Sequence, residues 1–399
     1  MNNYNEIKTM KIIFIYKSMI CWGGIERVWT DKINWLVNNG HEVRLVTTIQ
    51  GEHPQPYKID GKVEIKDLNI QFHHAYKYKG WRRIWDKRRR QKNFEKLLSL
   101  EIQEFQPDII TCVAIRYVPT LIKIKGNIPL IVESHEICLN TSDPSTTPLW
   151  KYVKTIHLFK NFRKADCIVA LTEGDAEEWR KYNNNVVVIS NTVHLNPIKR
   201  ISDCTQKRVI FVGRIAEQKG LPALFDIWGK ISERHPDWIL DIYGETGTTE
   251  LSEWVDNEVK KNPCITLHKP TNKIFEKYCE SSIFILTSTY EPFGLVIPEA
   301  MSCGLPVVAF NCPYGPADII TDGKDGFLVP LGNTKFFADK VCQLIENSEL
   351  RKKMGAAGVI SSQRYAAENI MSQWIKLFNK IISTQKMKNS KNEKKNCMD

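Results

Sequence analysis

No apolar run in this 399-residue chain approaches the roughly 18–20 residues needed to cross a bilayer, which excludes an integral membrane protein. A secretory leader is not expected either. Met1–Thr9 is polar, and the apolar run Ile12–Tyr16 stops at Lys17, short of the about 7–15 residues of a signal core. The 11 cysteines form no Cys-x-x-Cys pair and their number is odd, which speaks against a disulfide framework or a zinc site and for reduced thiols in a cytoplasm. Several catalytic signatures are absent too. Without Gly-x-Gly-x-x-Gly after the first strand, a nicotinamide dehydrogenase is disfavoured, and without Gly-x-x-x-x-Gly-Lys-Ser/Thr so is a P-loop phosphotransferase. His-Glu-x-x-His and Gly-x-Ser-x-Gly do not occur, which lowers zinc hydrolase and serine esterase readings. Asp-x-Asp, the usual grip on a divalent cation at a nucleotide diphosphate, is also missing. A phosphate site here has to be built from fixed side chains and helix ends.

What is present is an ordinary globular composition, 42% apolar and 25% charged, long enough for two or three domains. The formal net charge of +11 is unevenly spread. Residues 1–200 hold 31 Lys and Arg against 21 Asp and Glu, whereas the rest of the chain is almost neutral. Within Lys77–Lys92 (KYKGWRRIWDKRRRQK), nine basic residues meet one acid, Asp86. The surplus is therefore a patch.

Short apolar strands alternate with helical stretches, the grammar of a parallel sheet covered on both faces. Expected strands are Lys11–Tyr16, Val43–Thr47, Asp108–Val113, Pro129–Glu133, Asp166–Leu171 and Val186–Ile189. Helices are expected over Ile25–Asn39, Lys92–Phe105, Leu149–Arg163 and Glu173–Tyr182. After the polar stretch Asn196–Lys207 the grammar restarts with strands at Arg208–Val212, Trp238–Tyr243, Ile265–His268, Ile283–Thr287, Pro306–Phe310 and Phe327–Val329. The expected fold class is α/β, with two doubly wound domains at 10–195 and 205–365 facing a central cleft. A C-terminal helix over 366–385 and a disordered basic tail over 386–399 complete the layout.

Two motifs of the second half carry chemistry. In Phe211-Val-Gly-Arg-Ile-Ala-Glu-Gln-Lys-Gly220 a strand ends, Gly213 permits close backbone approach, and Arg214 and Lys219 flank a helix start. A guanidinium grips phosphate oxygens bidentately, an ammonium adds a point charge, and the helix end adds about half a positive charge. The bland alternative is a pair of surface cations around a turn. In Glu291-Pro-Phe-Gly-Leu-Val-Ile-Pro-Glu299, strand leads to loop leads to helix, with Phe293, Gly294 and Leu295 at the junction. Helical spacing does not say whether Glu291 and Glu299 converge, because a loop lies between them.

Together these motifs, with Ala300-Met-Ser-Cys-Gly-Leu-Pro306 and with Gly23-Gly-Ile-Glu-Arg27 after the first strand, resemble the family-4 retaining glycosyltransferases. The likeness spans about Lys11 to Thr384. It implies the GT-B fold, two Rossmann-like domains with a C-terminal helix crossing back to the first. It implies a nucleotide diphosphate sugar, a UDP-sugar, as donor and no divalent metal. By the same resemblance Arg214 and Lys219 bind the diphosphate, Glu299 takes the ribose hydroxyls, and Glu291 with the backbone near Phe293, Gly294 and Leu295 holds the sugar. Gly23 and Gly24 approach the phosphates, and His135 in Val132-Glu-Ser-His-Glu136 faces the sugar. Two segments depart from the family pattern, Ser190-Asn-Thr-Val-His194 and Cys312-Pro-Tyr-Gly-Pro-Ala-Asp-Ile-Ile320. The second resembles enzymes of bacterial surface polysaccharides, whose acceptors are glycans or lipid-linked glycans. A UDP-sugar epimerase of the same fold and a non-catalytic basic binding module remain alternatives. No nucleic-acid motif is present. The aromatic-laced run Lys77–Lys92 instead has the composition of a segment that lies on an anionic membrane surface.

Overall fold

The computed structural model describes residues 9–113, 115–135, 159–245 and 249–396. These fall into two compact units. The first draws its described residues from Met1–Ala170, Ala176–Ile189 and Met371–Asp399; the second comprises Leu171–Asp175 and Ser190–Ile370.

The first unit is built on seven parallel strands: β1 Lys11–Tyr16, β2 Glu42–Thr47, β3 Glu64–Asp67, β4 Ile109–Cys112, β5 Leu130–Glu133, β6 Cys167–Ala170 and β7 Val186–Val188. Their order is β3-β2-β1-β4-β5-β6-β7. In the second unit β8 Arg208–Val212, β9 Ile239–Tyr243, β10 Ile265–His268, β11 Ile283–Leu286, β12 Val307–Asn311 and β13 Gly326–Pro330 pair in the order β10-β9-β8-β11-β12-β13. Each order reverses once, between β1 and β4 and between β8 and β11. Ligands of open α/β sheets bind beyond the strand ends at such switch points.

The central strands are nearly continuous apolar runs because helices cover both faces. Helix Leu221–Arg234 places Leu221, Leu224, Trp228 and Ile231 on one stripe, fully buried in a cluster with Val209, Phe211, Leu240 and Ile242. In the first unit Phe94, Leu98, Ile102 and Phe105 do the same against Ile13, Ile15, Ile110 and Cys112.

Three expectations change. The helix that carries that stripe runs from Gly80 to Phe105 and takes in the basic run, so it starts twelve residues before Lys92. Its first turns lack buried apolar residues, but Asp86 holds Arg89 and Arg90 one turn on at 3.0 and 2.6 Å, and Arg90 donates to the Ile70 carbonyl at 2.7 Å. Strand β3, Glu-Ile-Lys-Asp, was not expected; as an edge strand it has too few apolar residues to register. Finally, helix Ala367–Asn396 continues through most of the segment expected to be a disordered tail. Lys, Glu and Met are good helix formers, and extending an existing helix adds one hydrogen bond per residue without a new nucleus. The expected helix Leu149–Arg163 lies mainly outside the described residues. Every described cysteine is a free thiol, and no described helix is long and apolar enough to cross a membrane.

Candidate active site

In the second unit the site grows from the ends of β8 and β11. β8 gives way to Gly213, whose N–H donates to the Tyr243 carbonyl at 3.0 Å, and then to Arg214, which is exposed and has no ion-pair partner among the described residues. The 3₁₀ turn Glu217–Lys219 follows, closed by Gly220 in the left-handed conformation with φ +63°. Gly220 is required twice over: a Cβ there would lie 2.1 Å from the Thr287 carbonyl oxygen. That approach bolts the turn to the loop after β11. Thr287 Oγ1 donates to the Lys219 carbonyl at 2.9 Å, Thr289 N to the Gln218 carbonyl at 2.8 Å, and Gln218 Nε2 to the Tyr290 carbonyl at 2.8 Å.

These bonds bring Lys219 onto Glu291, 72 positions later. Its ammonium pairs with Oε1, and Ser288 Oγ donates to the same oxygen at 2.7 Å. Both side chains are largely buried, 12% exposed for Lys219 and 7% for Glu291. The Glu291 backbone is pinned from the other side, its N–H to the Pro313 carbonyl at 2.7 Å and its carbonyl to the N–H groups of Tyr314 and Gly315, each at 2.9 Å. Phe293 is buried edge-on against Tyr365. Gly294, at φ +94°, turns the chain into Leu295 and helix Val296–Ser302. Glu299 is buried on that helix, 3.5 Å from Tyr278 Oη. Of the predicted residues, Lys219 thus pairs directly with Glu291.

In the first unit Gly23 is the N-cap of helix Gly24–Asn38 and sits beside Glu26. Glu26 is buried and accepts from Tyr16 Oη at 3.2 Å; burial pushes its carboxyl pKa up, against its hydrogen bonds to the backbone and to Tyr16. Tyr16 ends β1 and His135 follows β5, so Gly23, Gly24, Glu26 and His135 gather beyond the carboxyl ends of the central strands. His135 is buried, its Nε2 3.1 Å from Glu133 Oε2. Glu133 Oε2 also accepts from Lys32 Nζ at 2.6 Å and Trp29 Nε1 at 3.1 Å, and Oε1 from Thr111 Oγ1 at 2.9 Å. Burial alone would raise the Glu133 pKa, but the Lys32 charge and the hydrogen bonds from His135 and Lys32 win and hold it at about 2. Burial likewise pushes the Lys32 amine down, against Glu133.

Sequence reading missed Ser288, Lys32 and Glu133. The signals were there for the last two. Glu133 closes an otherwise apolar strand, and Lys32 sits on the helix stripe of Trp29, Ile33 and Leu36.

Two parallel Rossmann-like sheets of seven and six strands form the GT-B fold. The solved Anabaena Alr3699/HepE structure in complex with UDP superposes with a TM-score of 0.72 at 18% identity, covering 93% of this chain and 100% of that one. The family described as "Glycosyltransferase Family 4" matches residues 22–196 and "Glycosyl transferases group 1" matches residues 196–359. The chain belongs to this family and is a glycosyltransferase. It is 27% identical over 368 residues to a glycosyltransferase of Haemophilus influenzae, covering 91% of this chain and 98% of the relative. It is also 27% identical over 380 residues to the amylovoran biosynthesis glycosyltransferase AmsD of Erwinia amylovora, covering 92% and 99%.

Proposed function

We propose that this glycosyltransferase moves a hexosyl unit from a UDP-sugar to a glycan or lipid-linked glycan in surface polysaccharide biosynthesis, with retained anomeric configuration and without a divalent metal. The observation that carries the reading is the Lys219–Glu291 pair, locked by Gly220 and Ser288 beside Gly213 and Arg214. Negative charge builds on the β-phosphate as the sugar leaves with oxocarbenium character. Arg214 and Lys219 are preorganised cations for that oxygen, each worth about 10²–10³ in rate by analogy with oxyanion donors. Lys219 is held by Glu291, so it needs little reorganisation when the phosphate arrives. Attack from the leaving-group face, with the phosphate taking the acceptor proton, gives retention. AmsD is named for amylovoran biosynthesis, and the HepE structures hold UDP and UDP-glucose, which supports donor and pathway class.

The same proposal puts the enzyme in the cytoplasm on an anionic leaflet. Helix Gly80–Phe105 exposes Trp81 at 72% and Trp85 at 61%, with Ile84, Tyr76 and Tyr78 also solvent-facing. Arg83 lies over the Tyr76 ring and Arg89 over the Trp85 ring, at 4.3 and 5.6 Å. Each Lys or Arg near such a surface contributes about 1 kcal/mol. Nucleotide release from a donor panel with wild type, Arg214→Ala and Lys219→Ala, with and without EDTA, tests the chemistry. Near-normal turnover of the variants or strict metal dependence would overturn it.

A further inference from the structure

The ion pair in the first unit calls for its own explanation. Lys32 and Glu133 are 3% and 2% exposed, and taking two charges out of water costs several kcal/mol per ion. A methionine at 32 would fill the stripe between Trp29 and Leu36 without that cost. The pair is nonetheless built with full coordination: four donors converge on the carboxylate, from helix Gly24–Asn38, β4 and the residues after β5. The Lys32 ammonium is further enclosed by Trp374 of the closing helix, 3.5 Å from the ring centroid.

The arrangement has a consequence for His135. An ionised carboxylate only accepts hydrogen bonds, so the Nε2 that faces Glu133 must carry the proton. In a neutral imidazole Nδ1 is then an acceptor. Thr111 on Oε1 and Trp29 and Lys32 on Oε2 leave the carboxylate no freedom to rotate away.

We propose that Lys32 and Glu133 are positioning residues for His135. The buried pair keeps the carboxylate ionised, the carboxylate fixes the imidazole as the Nε2–H tautomer, and Nδ1 is thereby presented as an acceptor for a sugar hydroxyl. Trp374 closes the network over Lys32, which gives the returning helix a part in setting the site. The inference rests on the reading of His135 as a sugar-facing residue.

The test uses the full chain with ¹⁵N-labelled histidine. Long-range ¹H–¹⁵N spectra at neutral pH, assigned by His135→Gln, should show His135 as a neutral Nε2–H imidazole. In Glu133→Gln the amide can donate as well as accept, so the tautomer should shift or average, and kcat should fall about 10–100-fold, by analogy with the loss of the outer hydrogen-bond partner of a metal-ligating histidine. Glu133→Asp, which keeps the carboxylate, should restore the Nε2–H signature and part of the rate. A wild-type Nδ1–H tautomer or a doubly protonated ring overturns the proposal even where a variant does not fold. So does Glu133→Gln with a changed tautomer and unchanged kcat, provided His135→Ala is inactive. Wild-type turnover in His135→Ala would instead overturn the sugar-facing role itself, together with the function assigned to its tautomer.

Discussion

Replacing Lys219 by methionine leaves the Glu291 carboxylate in a site where it is 7% exposed, with Ser288 as its side-chain partner. Breaking a buried pair by removing one member costs about 3–5 kcal/mol, because the other charge stays buried. Lys219 is 12% exposed, so the low end, about 3 kcal/mol, is the expected loss. At about 2–4 °C per kcal/mol for a unit of this size, the second unit should melt about 6–12 °C lower. Lys219→Met with Glu291→Gln removes the orphaned charge, and the double variant should recover about 2 kcal/mol relative to the sum of the single losses. Activity should not follow. The proposed function places both residues in the donor site, so all three variants should turn over about 10²–10³-fold more slowly. Melting curves and nucleotide release on the same preparations separate the two effects. Additive stability losses would refute the coupling, and a double variant with normal turnover would refute the catalytic assignment.

Gly220→Ala should destabilise the second unit by at least the about 1–3 kcal/mol of a strained backbone, because the Thr287 carbonyl occupies the space of a Cβ; thermal melting checks this, and turnover should fall with it. The Glu133 carboxyl is held at about 2, below its ordinary unfolded value of about 4.3, so its stabilisation is complete above that ordinary value. It is lost as pH falls from about 4.3 towards 2, and Glu133→Gln should flatten the fall in melting temperature across that window. Trp81→Ala with Trp85→Ala should weaken sedimentation with anionic vesicles, as should added salt; equal binding to neutral vesicles would remove the electrostatic reading.

Much of the fold was legible because its determinants are local. Arg208–Val212 and Ile265–His268 are short runs with clear punctuation, and the observed strands have those bounds. Edge strand β3 was not legible, since Ile65 is its one apolar residue and none of its four residues is buried. The start of helix Gly80–Phe105 was hidden for a related reason: charge pairing at Asp86, not burial, holds its first turns. At the site, Arg214, Lys219, Glu291 and Glu299 could be named from their motifs and the family resemblance, but which of them meet could not. Lys219 reaches Glu291, 72 positions away, through side-chain and backbone hydrogen bonds between two loops, a tertiary fact that no local pattern encodes. Lys32 and Glu133 were passed over because charged residues on apolar stripes read as surface positions until their partners are seen.

The central claim is sugar transfer from a nucleotide diphosphate with the second unit's cations holding the leaving group. Incubation with UDP-glucose, UDP-galactose, their N-acetyl forms and GDP-mannose, with acceptor glycan, should be followed by NMR of the product's anomeric centre. Release of UDP from one donor with an α-linked product, abolished by Arg214→Ala and Lys219→Ala, is the predicted result. An inverted linkage, or conversion of the UDP-sugar to an epimer without any acceptor, would contradict it.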